Sequence, residues 1–398
     1  MSERLLSIAP EHPVRLRLTT TSLAVAAVAA VAAVTAGSAV AQPDLGVAHA
    51  TRAPAAAPQR TTALNPVLRE VMGRMPDAVV AGALVRRDGT GAAVGPVTAD
   101  AHFRIGSVTK TFTHTVVLQL VAERRIALDA AARRYVPELL PEAYDRVTVR
   151  QLLDHTSGLP APAPTPGPED GPGWQFGSVT PEESLRESFA AAAAAHRTPP
   201  EPGSEQQYNG LNSVVLALLV EKVTGRSFTD ELEQRIIRPL HLRHTSLPAA
   251  DDLGIPSPHA TVYVAGHDVT EQSPYPWAEG GMISTAADLD RFFTALFRGR
   301  LLPPAQQKLV FDVPPVKSAA DNKNCFGGPA CYSVGGLMGY RLENQEVVWG
   351  KTGSRPGWDN GFFATRDLRH RVAYSLNSTG AASPLPYIRQ VVGAALAD

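Results

Sequence analysis

The sequence contains few cysteines, no excess charge of either sign and no long hydrophobic run. Its 398 residues carry 37 Lys and Arg against 38 Asp and Glu, a formal net charge of −1. This balance argues against a nucleic-acid-binding protein, which needs concentrated positive charge to displace counterions from phosphates. Two cysteines exclude a cysteine-rich zinc module and a scaffold held by several disulfides. The eleven histidines have no ligand spacing, so no metal site is expected.

The N-terminal segment has the pattern of an export signal. Two arginines precede twelve apolar residues at 23–34, too short a run for a spanning helix, which needs about 20 residues. Ala39-Val40-Ala41 then matches the small-residue pattern of a cleavage site, although an uncleaved anchor or a chance Ala-rich start is the alternative. We expect a secreted monomer with no stable membrane insertion. The predicted organisation is a signal peptide at 1–41, an Ala/Pro-rich linker at 42–61 and one domain at 62–398.

Short β-branched runs bounded by turn residues predict strands near both ends of the domain, with helices between them. Asp88-Gly89 predicts a hairpin turn, and three consecutive strands are expected within 346–376. The predicted fold class is α/β (α+β), an antiparallel sheet flanked by helices. Its strands come from segments 62–106 and 330–398, with a mainly α-helical lobe at roughly 107–300 inserted between them.

The strongest chemical signal is Ser107-x-x-Lys110 at the start of a predicted helix. Residues three apart share a helix face, with Cβ atoms about 5–6 Å apart. Apolar neighbours would partly desolvate Lys110, which suits it to activate a serine. By itself the pattern also fits a helix cap beside a surface lysine.

Two further motifs strengthen this interpretation. Tyr208 follows a Pro-Gly break at the start of a predicted buried helix, and Lys351-Thr352-Gly353-Ser354 ends a predicted strand. Such a strand beside the serine could align an extended substrate through backbone hydrogen bonds. Lys351 could bind a carboxylate or relay a proton. Together the three motifs indicate acyl transfer by an activated serine.

With these motifs the sequence resembles the penicillin-recognising serine hydrolases, which include secreted D-alanyl-D-alanine carboxypeptidases and class C β-lactamases. The resemblance begins near residue 64, reaches the C-terminus and includes LLDHTSGL at 152–159, EKVTG at 221–225 and WAEGGMISTAADL at 277–289. It implies a β-lactamase/transpeptidase-like fold and no cofactor. It also implies that Ser107 is the nucleophile, Lys110 its activating partner and Tyr208 the general base and acid. Lys351 and Thr352, from the third motif, would form one wall of the substrate cleft. Backbone N–H groups of Ser107 and Ser354 would form the oxyanion hole.

The sequence departs from the family pattern at two positions. The second motif of the family is Tyr-x-Asn, but position 210 is glycine, which cannot hydrogen-bond Lys110 or a substrate amide through a side chain. Asn212 is our hypothesis for the substitute, and Asn209 is the alternative if the turn is shifted. The second departure is Lys351, because the similar secreted carboxypeptidases carry histidine there and the β-lactamases carry lysine.

Several other residues have two interpretations each. Arg355 or Arg341 could bind the terminal carboxylate of a peptide, or both could be surface arginines. Trp277 could lie near the cleft or in the core. We interpret His155 as a structural histidine at a helix end rather than a catalytic base. Cys325 and Cys331 are expected to form a local disulfide with a structural role, with two free thiols as the alternative.

The predicted function is a secreted serine-type D-alanyl-D-alanine carboxypeptidase that forms an acyl-enzyme at Ser107. The alternatives are a class C-like β-lactamase, an esterase for small esters, and a weakly active or non-catalytic binder of peptidoglycan or β-lactams. Accordingly, the expected partner is a peptidoglycan stem peptide, a β-lactam or a small ester.

Overall fold

The computed structural model describes residues 66–322, 325, 328–342 and 345–396. The predicted signal peptide and linker lie outside these residues. Among the helices described, none is long and apolar enough to cross a membrane. The α-helices are α1 (Pro66–Gly73), α2 (Thr109–Ala122), α3 (Val149–Leu153), α4 (Pro181–Ala194), α5 (Leu211–Thr224), α6 (Phe228–Leu232), α7 (Ala286–Phe297), α8 (Pro304–Leu309) and α9 (Leu385–Leu396).

The strands are short in the middle of the chain and long at its ends. They are β1 (Val80–Arg87), β2 (Thr90–Val94), β3 (His102–Arg104), β4 (Glu205–Gln206), β5 (Tyr263–Val264), β6 (His267–Asp268), β7 (Ile283–Thr285), β8 (Lys317–Ser318), β9 (Met338–Arg341), β10 (Val347–Arg355), β11 (Trp358–Thr365) and β12 (Arg371–Ser378).

Strands from both ends of the chain form one antiparallel sheet in the order β2-β1-β12-β11-β10-β9. Leu84 of β1 pairs with Ser375 of β12, which places the N-terminal hairpin beside the last strand. The predicted sheet from both termini is therefore confirmed. The strands are longer than the sequence predicts, since β10 continues past Gly350 to Arg355 and β11 begins at Trp358, and β9 is an additional strand. Since β9 has only four residues and contains Gly339, it has little strand signal of its own.

Helices cover both faces of this sheet. On one face α1 and α9 pack together, burying Leu68, Val391 and Leu396 against the strands. On the other face, the Phe362 ring of β11 stacks on Phe293 of α7 with centroids 4.3 Å apart. The neighbouring Phe292 stacks on Phe112 of α2 at 3.7 Å. This aromatic column connects the sheet to α2 and so fixes the helix that begins just after Ser107.

Helix α2 is buried on nearly all sides, and α5 packs against it. Its first residues include Lys110, whose side chain is 0% exposed. Burying an ammonium is costly unless partners compensate it, so the surroundings of Lys110 are a natural place to look for function.

Candidate active site

Ser107 lies where the turn before α2 crosses strand β10. It occupies a short 3₁₀ turn, Gly106–Val108, that leads directly into α2. Two glycines let the backbones touch: a Cβ on Gly353 would lie 1.9 Å from the Ile105 carbonyl oxygen. A Cβ on Gly106 would lie 2.6 Å from the Ser354 backbone nitrogen. Gly106 also has φ +49°, a conformation that glycine adopts without penalty. The crossing brings Ser107 beside the Lys-Thr-Gly strand, as the sequence predicted.

The Lys110 ammonium contacts Ser107 and one residue from a distant segment. Its Nζ donates to Ser107 Oγ at 3.1 Å, so the predicted helix spacing does bring the two side chains together. Nζ also donates to the backbone carbonyl of Glu279 at 2.8 Å and lies 3.6 Å from Glu279 Oε1. Lys110 is therefore held between the serine hydroxyl and an acidic residue.

Tyr208 lies between the two buried lysines. The Nζ atoms of Lys110 and Lys351 are 5.2 Å and 5.0 Å from the centroid of its ring, and the Tyr332 ring stacks on its face at 4.8 Å. Burial alone would raise the pKa of Tyr208, but the charges of Lys110 and Lys351, with the nearby Ser107 hydroxyl, outweigh burial and lower it. Although close to Ser107 and Lys110, its buried hydroxyl makes no hydrogen bond of good geometry with any described residue. The oxygen is thus available to exchange a proton.

Lys351 reaches the same cluster from β10. Its side chain is buried and Nζ donates to the Thr352 carbonyl at 2.9 Å. Burial lowers the pKa of Lys351, and the Lys110 charge adds to this, while Tyr208 opposes it. Thr352 itself points its hydroxyl toward the Met338 sulfur at 3.8 Å. Within the Lys-Thr-Gly motif, Lys351 therefore lies against the ring of Tyr208. Gly353 allows the backbone of β10 to pass close to Ile105, just before Ser107.

The hypothesis that Asn212 replaces the missing asparagine is wrong. Its amide nitrogen lies 3.0 Å from His155 Nδ1, and its oxygen accepts from the Ser157 hydroxyl at 2.7 Å. Asn209 is also occupied, because it donates to the Leu159 carbonyl at 2.9 Å and accepts from a backbone N–H of α5. Both amides fix the loop that follows α3. Among the described residues, Lys110 hydrogen-bonds to Ser107 and Glu279 and to neither asparagine.

A cleft of about 260 Å³ opens beside Ser107. Its walls come from the Ser107 turn, the Pro-rich loop, the segment before β7 and the end of β10, with these residues: Gly106, Ser107, Pro162, Ala163, Thr165, Tyr275, Pro276, Glu279, Gly280, Ser354, Arg355 and Pro356. The Pro-rich loop after Leu159 thus contributes to one wall of the cleft.

Arg355 and Trp277 serve the cleft mainly as structural supports. The Arg355 guanidinium donates to the backbone carbonyls of Ser273, at 2.8 Å, and Tyr275, and to the Gln272 side chain at 3.3 Å. Three of its donors therefore hold the 272–275 segment, and the residue also lines the cleft. Trp277 packs edge-on to Phe228 at 5.4 Å and lies against the apolar core. Arg341 lies at the β9–β10 turn, where it donates to the Gln345 carbonyl.

His155 is a buried structural residue, in agreement with its sequence interpretation. Nδ1 accepts from the backbone N–H of Asn209 at 3.3 Å, and the ring lies 4.8 Å from that of Tyr208. Burial, together with the nearby His114 and both buried lysines, holds the pKa of His155 well below its ordinary value. The ring of His155, whose lowered pKa favours the neutral form, thus packs against the ring of Tyr208.

Sequence reasoning missed two residues of the site, Glu279 and Tyr332. Glu279 lies 169 positions from Lys110, so no local spacing connects them; the only signal was an acidic residue in the glycine-rich segment after Trp277. Tyr332 directly follows Cys331, whose Cα lies 5.6 Å from that of Cys325, within disulfide distance. The cysteine pair therefore belongs to the small apolar cluster that contacts Tyr208 and is not peripheral.

The sequence matches the family described as Beta-lactamase over residues 64–397. The chain belongs to the Beta-lactamase family. It is accordingly a serine hydrolase with the β-lactamase/transpeptidase-like fold, and the predicted family and fold class are confirmed. Within the part of the chain that the structure describes, no group of three or more His, Cys, Asp or Glu side chains could hold a metal ion.

The chain is similar to an amidohydrolase, to an esterase and to a third protein whose name states no activity. A D-stereospecific amidohydrolase from Streptomyces sp. is 31% identical, with a TM-score of 0.70 over 81% of this chain and 97% of that chain. Esterase EstB from Burkholderia gladioli is 30% identical over 230 residues, 50% of this chain and 58% of the esterase. Protein flp from Staphylococcus aureus (strain COL) is 31% identical over 147 residues, 36% of this chain and only 28% of flp.

Proposed function

We propose that the protein is a D-stereospecific amidohydrolase that cleaves small amides through an acyl-enzyme at Ser107. The observation that carries this proposal is the buried cluster of Lys110, Tyr208 and Lys351 directly beside Ser107, which lines the cleft. A serine beside a tyrosine of lowered pKa satisfies the requirement for a nucleophile and its base. Similarity to the Streptomyces amidohydrolase over most of both chains supports the amide bond and the D configuration.

In the proposed reaction, Tyr208 as phenolate takes the proton from Ser107 Oγ while Oγ bonds to the amide carbon. The oxyanion that forms accepts from the backbone N–H groups of Ser107 and Ser354, which the Gly106 crossing brings together. Tyr208 then gives its proton to the leaving amine as the carbon–nitrogen bond breaks. Water then attacks the acyl-enzyme while Tyr208 takes a proton from the water. Tyr208 returns this proton to Ser107 Oγ as the bond between Oγ and the acyl carbon breaks and the carboxylic acid product leaves.

Two buried ammonium groups lower the pKa of Tyr208 and so favour its use as a base. A phenolate between Lys110 and Lys351 is electrostatically paired on both sides, so the negative form costs less than it does in water. Lys110 also positions the nucleophile by its hydrogen bond to Ser107 Oγ. The two lysines therefore assist from opposite sides and the tyrosine moves the proton.

The D-Ala-D-Ala carboxypeptidase activity predicted from the sequence is less well supported by the cleft. Such an enzyme binds the terminal carboxylate of its peptide, for which Arg355 or Arg341 was a candidate and surface arginines were the alternative. Three donors of Arg355 bind the 272–275 segment, and Arg341 donates to the Gln345 carbonyl. Ester cleavage is the second candidate, since the same acyl-enzyme forms from esters and EstB is a relative.

The test compares D-alanine p-nitroanilide, its L enantiomer, an N-acylated D-Ala-D-Ala peptide and p-nitrophenyl acetate as substrates of the purified protein. We expect the D-anilide to be cleaved at least about tenfold faster in kcat/KM than the L form, a discrimination of the size that one misplaced contact produces. Release of D-alanine from the peptide in preference to the anilide would support the carboxypeptidase instead. If p-nitrophenyl acetate is the only substrate hydrolysed, the protein is an esterase and the amidohydrolase proposal fails.

We also propose that the protein works outside the cytoplasm after loss of residues 1–41. The disulfide-distance pair Cys325 and Cys331 supports an oxidising compartment. Expressed in a bacterial host with its own N-terminus, the protein is expected in the extracytoplasmic fraction, beginning at Gln42. N-terminal sequencing measures this directly. A cytoplasmic protein that retains Met1 would contradict the proposal.

A further inference from the structure

Position 210 is glycine because another side chain occupies the space. A Cβ built on Gly210 would lie 1.9 Å from Glu279 Oε1 and 2.0 Å from Glu279 Cδ. The carboxylate therefore occupies the volume that a side chain at 210, such as the family asparagine, would fill. A larger residue at 210 would have to displace Glu279.

The carboxylate in this place has unfilled hydrogen-bonding capacity. Oε1 lies 3.6 Å from Lys110 Nζ, an ion pair beyond hydrogen-bond distance, because the backbone carbonyl of Glu279 takes the closer bond at 2.8 Å. None of the described residues donates a hydrogen bond to the carboxylate, although an ionised carboxyl group has about four acceptor positions. Its side chain is 22% exposed and lines the cleft beside Ser107.

The Glu279 carboxylate offers a substrate different hydrogen bonds from those of the family asparagine. An asparagine can both donate to and accept from a substrate, so it suits an acylated amine with its carbonyl oxygen. A carboxylate only accepts, so it suits N–H groups and favours a charged ammonium over a neutral amide. A substrate carbonyl directed at Glu279 would face an oxygen anion and be repelled.

We propose that Glu279 determines specificity for the acyl part of the substrate by binding an unblocked amino group next to the scissile carbonyl. The proposal rests on the proposed function, since it concerns the substrate of the same acyl-enzyme. The substrate class is therefore amides or esters of amino acids with a free α-amino group. N-acylated peptides and penicillins with an acylamino side chain are poorer substrates because their carbonyl would meet the carboxylate.

The experiment measures kcat and KM for D-alanine p-nitroanilide, its N-acetyl derivative and p-nitrophenyl acetate, which has no amine. For the wild-type protein the free amine is expected to be preferred about 10- to 100-fold over the N-acetyl form, the effect of one charge-assisted hydrogen bond. Glu279→Gln should abolish this preference, mainly by raising KM for the free amine. Acetate hydrolysis by the same variant measures the effect of losing the ion pair with Lys110, and the loss for the free amine should exceed that effect at least about tenfold.

Three further variants complete the design. Glu279→Asp keeps the charge and should retain part of the preference. Gly210→Asn combined with Glu279→Gly restores an amide at this wall and should reverse the preference toward the N-acetyl substrate. Glu182→Gln, on the exposed surface of α4, is the matched control and should behave as the wild type.

The possible outcomes separate this inference from the proposed function. If wild type prefers the N-acetyl substrate, or if Glu279→Gln keeps the preference for the free amine, the role of Glu279 is overturned while amide hydrolysis stands. The wild-type comparison holds even if a variant does not fold. If no substrate acylates Ser107, it is the proposed function that fails.

Discussion

Replacing Ser107 by alanine is expected to lower kcat/KM for D-alanine p-nitroanilide by about 10⁴- to 10⁶-fold, the range for removal of a catalytic nucleophile. The physical reason is that its Oγ is the hydroxyl that Lys110 contacts at 3.1 Å, beside Tyr208. Intact-mass measurement after mixing with a β-lactam or an activated ester should detect an adduct on the wild type and none on Ser107→Ala.

Ser178→Ala is the matched control for this experiment, since Ser178 is exposed on the loop before α4 and outside the cleft. It should retain the activity and the adduct of the wild type. An adduct that persists on Ser107→Ala would assign the nucleophile to another residue. Loss of both turnover and adduct in Ser178→Ala would instead point to a folding defect of the expressed protein.

The parts of the site that follow from local geometry could be predicted from the sequence. Ser107 and Lys110 are three residues apart at the start of a helix, so their contact depends on helix geometry alone. The approach of the Lys-Thr-Gly strand to Ser107 depends on Gly106 and Gly353, and the motif by itself suggested this approach without determining it. Local spacing does not determine which strand crosses which turn.

The parts that depend on distant segments could not be predicted. Asn212 looked suitable for contacting Lys110 because it lies one helical turn after Tyr208. The structure instead turns it toward His155, and the segment that contacts Lys110 carries Glu279, far along the chain. A glycine in place of a polar residue looks like a loss from the sequence. Only the packing reveals that it leaves room for another polar group.

The fold was easier to predict than the substrate because its signals are repeated along many residues. Short β-branched or apolar runs and the turn residues between them predicted the three C-terminal strands and the N-terminal hairpin. Pairing of β1 with β12 joins these two parts into one sheet. The weakest element, β9, lacked such a pattern. Substrate choice depends on single side chains at the cleft, such as Arg355, whose direction is set by which carbonyls lie within reach.

Removing the proposed base should be the second large effect. Tyr208→Phe is expected to lower kcat/KM by about 10²- to 10⁴-fold, the usual contribution of a general base. The base acts only when deprotonated, so wild-type activity should be lost as pH falls through the Tyr208 pKa. Because Lys110 and Lys351 lower that pKa, the acidic limb of the pH profile lies below the ordinary range of a tyrosine. The measurement is kcat/KM for the anilide against pH.

Lys351→Met provides the test of direction. Losing one of the two positive charges raises the pKa of Tyr208, so the acidic limb should move to higher pH while activity recovers in alkali. Lys222→Met, which removes an exposed lysine paired with Glu138, is the control and should leave the limb in place. A limb that stays fixed in Lys351→Met, or moves to lower pH, would mean that Tyr208 does not carry the titration. The proton would then pass through another group of the cluster, and the Tyr208→Phe loss would have to reflect positioning of Lys110 instead.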